Sequence, residues 1–282
     1  MDTVVFILVL SAAFTHAGWN FCSKKIKGNL TVYWLGSMSI NIVLFPVTAY
    51  LIYRYGINVR GLIPILVSCI FHAFYYLTLF DSYKFGDIST AYPISRGTGV
   101  SATAFISIMC LHEQVTAPGI AGILIIVAGI FTIGYSSGLT KEDRACYIYA
   151  ILTGLAVAGY SVADSRSSGF NHPIIVLNFM STLSLLMVTP FAFRKGFRAS
   201  VRENLDHLKF GPVIGLGSLG TYLIILFAFS LSDQASYIVA LREFSVVIAS
   251  VLGFIFLKEK ITLHKISGIV LITAGLFLIK SV

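Results

Sequence analysis

The stretch Tyr237-Ile-Val-Ala-Leu-Arg242-Glu243-Phe-Ser-Val-Val-Ile-Ala-Ser-Val-Leu-Gly-Phe-Ile-Phe-Leu257 decides the fold. Without Arg242 and Glu243 it is a plain membrane-spanning helix of about 20 residues. With them it holds two opposite charges away from either end. A charge at the centre of a span costs about 2.5–3.5 kcal/mol on insertion scales. Such residues persist where they face protein, water or a ligand. A second arginine, Arg96, sits in a similar apolar stretch that starts Ser89-Thr-Ala-Tyr-Pro-Ile-Ser and runs to Met109. The two arginines are therefore expected to line one polar cavity.

The rest of the chain agrees with that reading. It is 57% hydrophobic and 11% charged, with a mean hydropathy of +0.88, where soluble domains carry about 25% charge. The sequence predicts an integral membrane protein. Its net charge of +8 is no nucleic-acid signal, because most basic residues fall in short links between apolar runs, where they set topology. Cys22, Cys69, Cys110 and Cys146 are scattered without a CxxC, as small apolar fillers are; the sequence supports neither a disulfide nor a metal site. The first apolar run has no basic leader or cleavage site and contains Trp19 and Asn20, so it reads as a retained helix.

Ten apolar segments are expected, at 4–24, 31–53, 61–81, 88–110, 117–137, 145–166, 173–193, 211–231, 235–257 and 263–281. The link from Arg194 to Phe210 is a basic stretch. A shift of 146 residues superposes Asp87, Arg96, Leu111, Glu113, Thr116, Gly122, Ala128, Gly129 and Phe131 on Asp233, Arg242, Leu257, Glu259, Thr262, Gly268, Ala274, Gly275 and Phe277. Apolar positions match easily by chance; an intramembrane arginine followed by a Glu-x-x-Thr link does not. The unit is thus five helices, expected at 1–138 and 139–282. An odd unit duplicated in tandem must insert upside down the second time. That predicts an all-α membrane fold of ten helices in two inverted repeats, with a site at the repeat interface.

Fourteen lysines and arginines fall on one side of this arrangement and four on the other, apart from Arg96 and Arg242. The positive-inside rule places the fourteen in the cytoplasm and both termini outside.

Polar residues four apart share a helix face. His16 and Asn20, His72 and Tyr76, Tyr92 and Arg96, and Tyr160 and Asp164 form such stripes, and Ser245 follows Arg242 by nearly one turn. One such residue alone is more often a packing residue; five helices carrying them favour a shared wet cavity. Arg242 and Glu243 could also form a purely structural ion pair. If Glu243 neutralises one arginine, one positive charge is left for an anionic or zwitterionic ligand, since guanidinium forks suit carboxylate and phosphonate oxygens. Asp164 and Glu243 could hold a ligand ammonium or carry a proton. Pro93, Gly97 and Gly99 interrupt the fourth helix, either as a broken helix exposing backbone to the cavity or as a static kink. Gly122/Gly129 and Gly268/Gly275 read as helix-packing positions.

Two motif matches are rejected. Gly215-Leu-Gly217-Ser-Leu-Gly220 fits GxGxxG but opens a membrane helix with no preceding strand, so no dinucleotide site is implied. Asn29-Leu-Thr31 fits a glycosylation sequon but falls on the cytoplasmic side. Hydrolase motifs and a P-loop are lacking, and no enzyme or cofactor is expected.

With ten helices in a 5+5 repeat, each half placing a Glu before a Gly-rich last helix, the sequence resembles the EamA-type transporters of the drug/metabolite transporter superfamily over its whole length. His16-Ala-Gly-Trp19-Asn20, His72-Ala-Phe-Tyr75, Tyr92-Pro93-Ile-Ser-Arg96-Gly97 and Ala240-Leu-Arg242-Glu243 are similar to a bacterial subgroup, some of whose members are associated with phosphonate-utilisation genes. The resemblance implies a secondary carrier of small organic metabolites in the bacterial inner membrane, working by alternating access with proton coupling or exchange, as a monomer or homodimer. Better-known ten-helix members keep both termini in the cytoplasm, the reverse of the charge count here. Residues expected at the substrate are Arg96, Arg242, Glu243, Tyr92, His16, Asn20, His72, Tyr76, Tyr160, Asp164 and Tyr222. A flippase for a lipid or lipid-linked head group on the same fold is the alternative. A non-transporting subunit fits the inverted repeat less well.

Overall fold

The computed structural model describes residues 1–23, 29–85, 88–134, 144–256 and 262–282, without the side chains of residues 20–23, 80, 83, 84, 88–90 and 253. The described residues are almost wholly helical: α1 Thr3–Ser23, α2 Leu30–Tyr55, α3 Leu62–Phe85, α4 Ile88–Leu111, α5 Ala117–Gly134, α6 Arg144–Phe170, α7 Pro173–Ala192, α8 Phe197–Glu203, α9 Leu205–Leu208, α10 Gly211–Ser230, α11 Ala235–Arg242, α12 Phe244–Phe256 and α13 Leu263–Lys280. Among them nine segments are long and apolar enough to span a bilayer, α11 and α12 counting as one, and α1 supplies a shorter apolar helix, Thr3–Trp19. In a bilayer only helices satisfy every backbone group of a single span, which is why so apolar a chain folds this way.

Three expectations shift. The ninth span, expected to be continuous over 235–257, is interrupted at Glu243. Of the two readings at Pro93, the broken helix is not found: α4 runs unbroken from Ile88 to Leu111. Pro93 lies inside α4 without ending it; the break falls in the repeat mate of α4 instead. The basic link 194–210 carries two short helices, α8 and α9.

The Glu-x-x-Thr link has a local cause. Thr116 Oγ1 accepts from Gly119 N at 3.2 Å and Thr262 Oγ1 from Lys265 N at 3.3 Å, so each threonine caps the last helix of its repeat. Asn29 caps α2 through Val32 N at 3.2 Å and donates to Asn204 Oδ1 at 2.5 Å, which gives the apparent sequon a structural role.

The inversion is visible where α5 meets α13. A Cβ on Gly122 would lie 3.0 Å from Gly275 O, and one on Gly129 would lie 2.8 Å from Gly268 O. As one number rises the other falls, so the two helices cross antiparallel. The pair 122/275 maps onto 268/129 under the 146-residue shift, which is the relation a two-fold axis requires. The other contacts repeat the pattern: α3 packs on α6 as α10 packs on α1, and α4 packs on α6 as α11 and α12 pack on α1. The GxGxxG match belongs to this packing, since a Cβ on Gly215 would meet Gly36 O of α2 at 2.4 Å. The α1 and α13 ends meet, with Lys280 Nζ donating to Met1 O at 3.3 Å and Thr3 Oγ1 at 3.0 Å, as an even number of spans demands.

Candidate functional site

The interruption of the ninth span places its charges. Arg242 ends α11, Glu243 is the residue of the break, and α12 starts at Phe244. Arg96 reaches the same point from α4. Its Nε donates to Glu243 Oε2 at 2.7 Å, and Arg242 Nε lies 3.8 Å from Glu243 Oε1. All three are buried, at 4%, 3% and 1% exposure for Arg96, Arg242 and Glu243. One carboxylate thus serves two guanidiniums. Arg96 Nη2 and Arg242 Nε and Nη2 are buried without hydrogen-bond partners, and buried polar groups of this kind are costly unless something fills them.

Those guanidiniums border a cavity of about 150 Å³. Of the residues named from sequence, Arg96, Arg242, Tyr92, His16, His72, Tyr76, Tyr160 and Tyr222 line it. Glu243 stands behind the arginines and orients them. Asp164 is fully buried behind the wall and reaches the cavity through Tyr222, whose hydroxyl donates to Asp164 Oδ2 at 2.5 Å. The side chain of Asn20 lies outside the described residues, as do Asp87, Leu257 and Glu259 of the repeat alignment and the side chain of Cys22.

The wall is aromatic. His72 stacks on Tyr160 at 3.9 Å and meets Tyr222 edge-on at 5.2 Å. Ser68 holds the His72 ring through Nδ1 at 3.1 Å. The Arg96 guanidinium lies 5.6 Å from the Tyr92 ring centroid, a cation–π distance. Lining residues that the sequence did not lead us to expect at the substrate include Trp19, Asn29, Tyr33, Tyr75, Ser218 and Thr221. Tyr33 bonds Tyr76, hydroxyl to hydroxyl, at 3.0 Å. The four-residue rule applied to α2 and α10 finds two of them, through Tyr33/Ser37 and Ser218/Tyr222.

The cavity runs from the arginines toward Trp19, Asn29 and Leu79, the end of the bundle where α1 stops and α2 starts. The opposite end is tied shut. Glu113 accepts from the Ser236 backbone N–H at 3.2 Å and from the Ser236 hydroxyl, a carboxylate at the N-terminus of α11, where the helix dipole favours it. Thr116 N donates to Tyr237 OH at 3.1 Å, and Asn58 N donates to Asn171 Oδ1 at 2.9 Å. Burial, opposed by the Ser236 donors, pushes the Glu113 carboxyl above its ordinary value of 4.5.

The model of the EamA-like transporter family matches the chain twice, over residues 3–135 and 144–281. A crystal structure of a protein with 14% sequence identity is similar at a TM-score of 0.70, covering 100% of this chain and 99% of its own; at that identity the likeness is one of fold. No curated protein sequence matches.

Proposed function

We infer the function from family and site together: the chain belongs to the EamA-like transporter family, and it is a multi-pass membrane protein. We propose that it is a secondary active transporter of a small anionic or zwitterionic organic metabolite, working by alternating access with proton coupling or exchange. One observation carries this reading. Two buried guanidiniums share one carboxylate at the cavity wall, leaving one positive charge and three unpartnered donor atoms. A carboxylate or phosphonate group supplies the missing charge and acceptors in a planar fork.

The surroundings support the same class of ligand. The tyrosine and histidine wall offers hydrogen bonds and ring faces to a compact polar molecule. A cavity of about 150 Å³ walled by tyrosine and histidine rings suits a compact polar metabolite. Inverted repeats give alternating access its two related states. A cavity that extends to one end while the other is tied shut is one such state. With the basic links inside, that cavity faces the cytoplasm of a bacterial inner membrane.

Proteoliposomes test the proposal. Purified protein is screened by thermal shift against amino acids, phosphonates, polyamines and quaternary amines, and stabilising compounds are then assayed for uptake. Anions and zwitterions are expected to stabilise and to be taken up by wild type but not by Arg242→Ala. Stabilisation by cations alone, or undiminished uptake by Arg242→Ala, refutes it.

A further inference from the structure

Resting on that transport reading, we infer that Asp164 is the proton site of the cycle and that one proton travels with one organic anion in the same direction. Glu243 is unsuited to the task, because two guanidiniums hold it and its protonation would leave both uncompensated. Asp164 is placed differently. It is fully buried, the ion pairs of the described residues do not include it, and its hydrogen-bonding neighbours are the neutral hydroxyls of Tyr222 and Ser68. A buried carboxylate without a cation is expensive, and a protonated carboxyl is the cheap alternative. The group is nevertheless connected to the cavity, since Tyr222 borders the cavity and donates to Asp164 Oδ2 at 2.5 Å.

From α3, Cys69 and His72 face this region, and Ser68 lies between His72 and Asp164; from α10 comes Tyr222; on α6 itself there is Tyr160; the nearest cationic influence is Arg242 of α11. From α4, Arg96 is spent on Glu243, and α7 contains no titratable side chain. So the charge that changes Asp164 is the net charge of the arginine site. With the cavity empty that site carries one positive charge, which favours ionised Asp164. A bound anion cancels it and favours the protonated form. Proton and anion therefore promote each other's binding, and by linkage the promotion is reciprocal. In the protonation step a hydronium ion in the cavity gives its proton to the Tyr222 oxygen as Tyr222 passes its own to Asp164 Oδ2. Tyr222 is unchanged and Asp164 becomes neutral.

Infrared difference spectra of the purified full-length protein test this without any substrate. The buffer is stepped from acid to alkaline pH with potassium as its only metal cation. The expected result is a protonated-carboxyl band that titrates in wild type, is lost in Asp164→Asn and changes frequency in Tyr222→Phe. Tyr222→Phe keeps the carboxyl and makes the same assignment should Asp164→Asn fail to fold. At one pH within the titration, the band is expected to be stronger in Arg242→Met, because removing a cavity cation does to Asp164 what a bound anion does. A titrating band that survives in Asp164→Asn, or no titrating band, overturns the inference. So does a band bleached by sodium chloride at constant pH, which marks a metal-cation site, or an Arg242→Met band no stronger than wild type. Failure of the transport reading looks different: wild-type proteoliposomes accumulate none of the anions tested while the infrared result stands.

Discussion

Arg96 is held by the residue next to its own repeat mate: its Nε donates to Glu243 at 2.7 Å, and Glu243 directly follows Arg242. The shift of 146 residues that relates the arginines carries Glu243 onto Gly97, which has no side chain to offer. A Cβ there would lie 2.8 Å from the Phe131 ring, so the space is already filled by packing. The duplication thus supplied two cations and one half alone supplied the anion. The symmetric scaffold holds an asymmetric charge.

Arg242 is expected to behave as a ligand group and not as a strut. Its Nε and Nη2 have no hydrogen-bond partner, so Arg242→Met removes an under-compensated charge and should melt no lower than wild type in a detergent thermal scan. Anion binding should fall by about 2–5 kcal/mol, the cost of deleting one partner of a desolvated charge pair. Arg242→Lys should recover little of it, since an ammonium lacks the planar fork. A large drop in melting temperature with binding retained would assign Arg242 a structural role instead.

Glu243 is the strut. Glu243→Gln leaves Arg96 and Arg242 buried with no counter-charge, a loss expected at about 3–5 kcal/mol. The combination Arg96→Met with Glu243→Gln should be more stable than Glu243→Gln alone, giving a coupling energy well above the ~0.5 kcal/mol additivity error of a double-mutant cycle. Purely additive effects would mean that the 2.7 Å contact contributes nothing. Transport should be lost in both variants.

The packing role of Gly122, Gly129, Gly268 and Gly275 was legible in the sequence because glycine spacing and the 146-residue match survive in the letters, though not that α5 and α13 are the helices they join. Equally legible was the joining of two distant arginines, since an intramembrane charge has few places to go. The position of the broken helix was not. Pro93 is a strong local signal for a break, yet α4 runs through it, and the interruption falls at Glu243, the carboxylate that both arginines face. Nor was the layering of the site: Tyr160 and Asp164 share a helix face, but Tyr222 of α10 stands between Asp164 and the cavity, a fact of tertiary packing that spacing within one helix does not hold.

Gly122 and Gly129 test the crossing of α5 and α13. A Cβ at either meets backbone or Ile side chains of α13 within 3.0 Å, and backbone does not yield. Gly129→Val should push the helices apart and lower the melting temperature by several degrees. Gly169→Ala, where nothing lies within 4 Å, should be neutral or slightly stabilising, because alanine favours the helix by about 0.5–1 kcal/mol. Equal effects at the two positions would show that the crossing is not close.

Glu113 should make the closed end sensitive to pH. Burial raises its carboxyl above the ordinary value of 4.5, so the tied arrangement binds a proton more readily than an opened, solvated Glu113 does. A group raised in this way adds stability that is fully present below its ordinary value and is lost as the pH climbs through the raised one. The tie between Glu113 and Ser236 is therefore expected to be firmest in acid and to loosen over the range just above the usual carboxylate values. Spin labels at the exposed positions Val59 and Leu231, in the loops that precede α3 and α11, would report the distance across that end. The wild-type distribution should move toward longer distances as the pH rises, while Glu113→Gln, which cannot ionise, should keep one distribution at every pH. The same pH response in Glu113→Gln, or opening in acid, would remove Glu113 from the closure and leave Tyr237 and Asn171 to account for it.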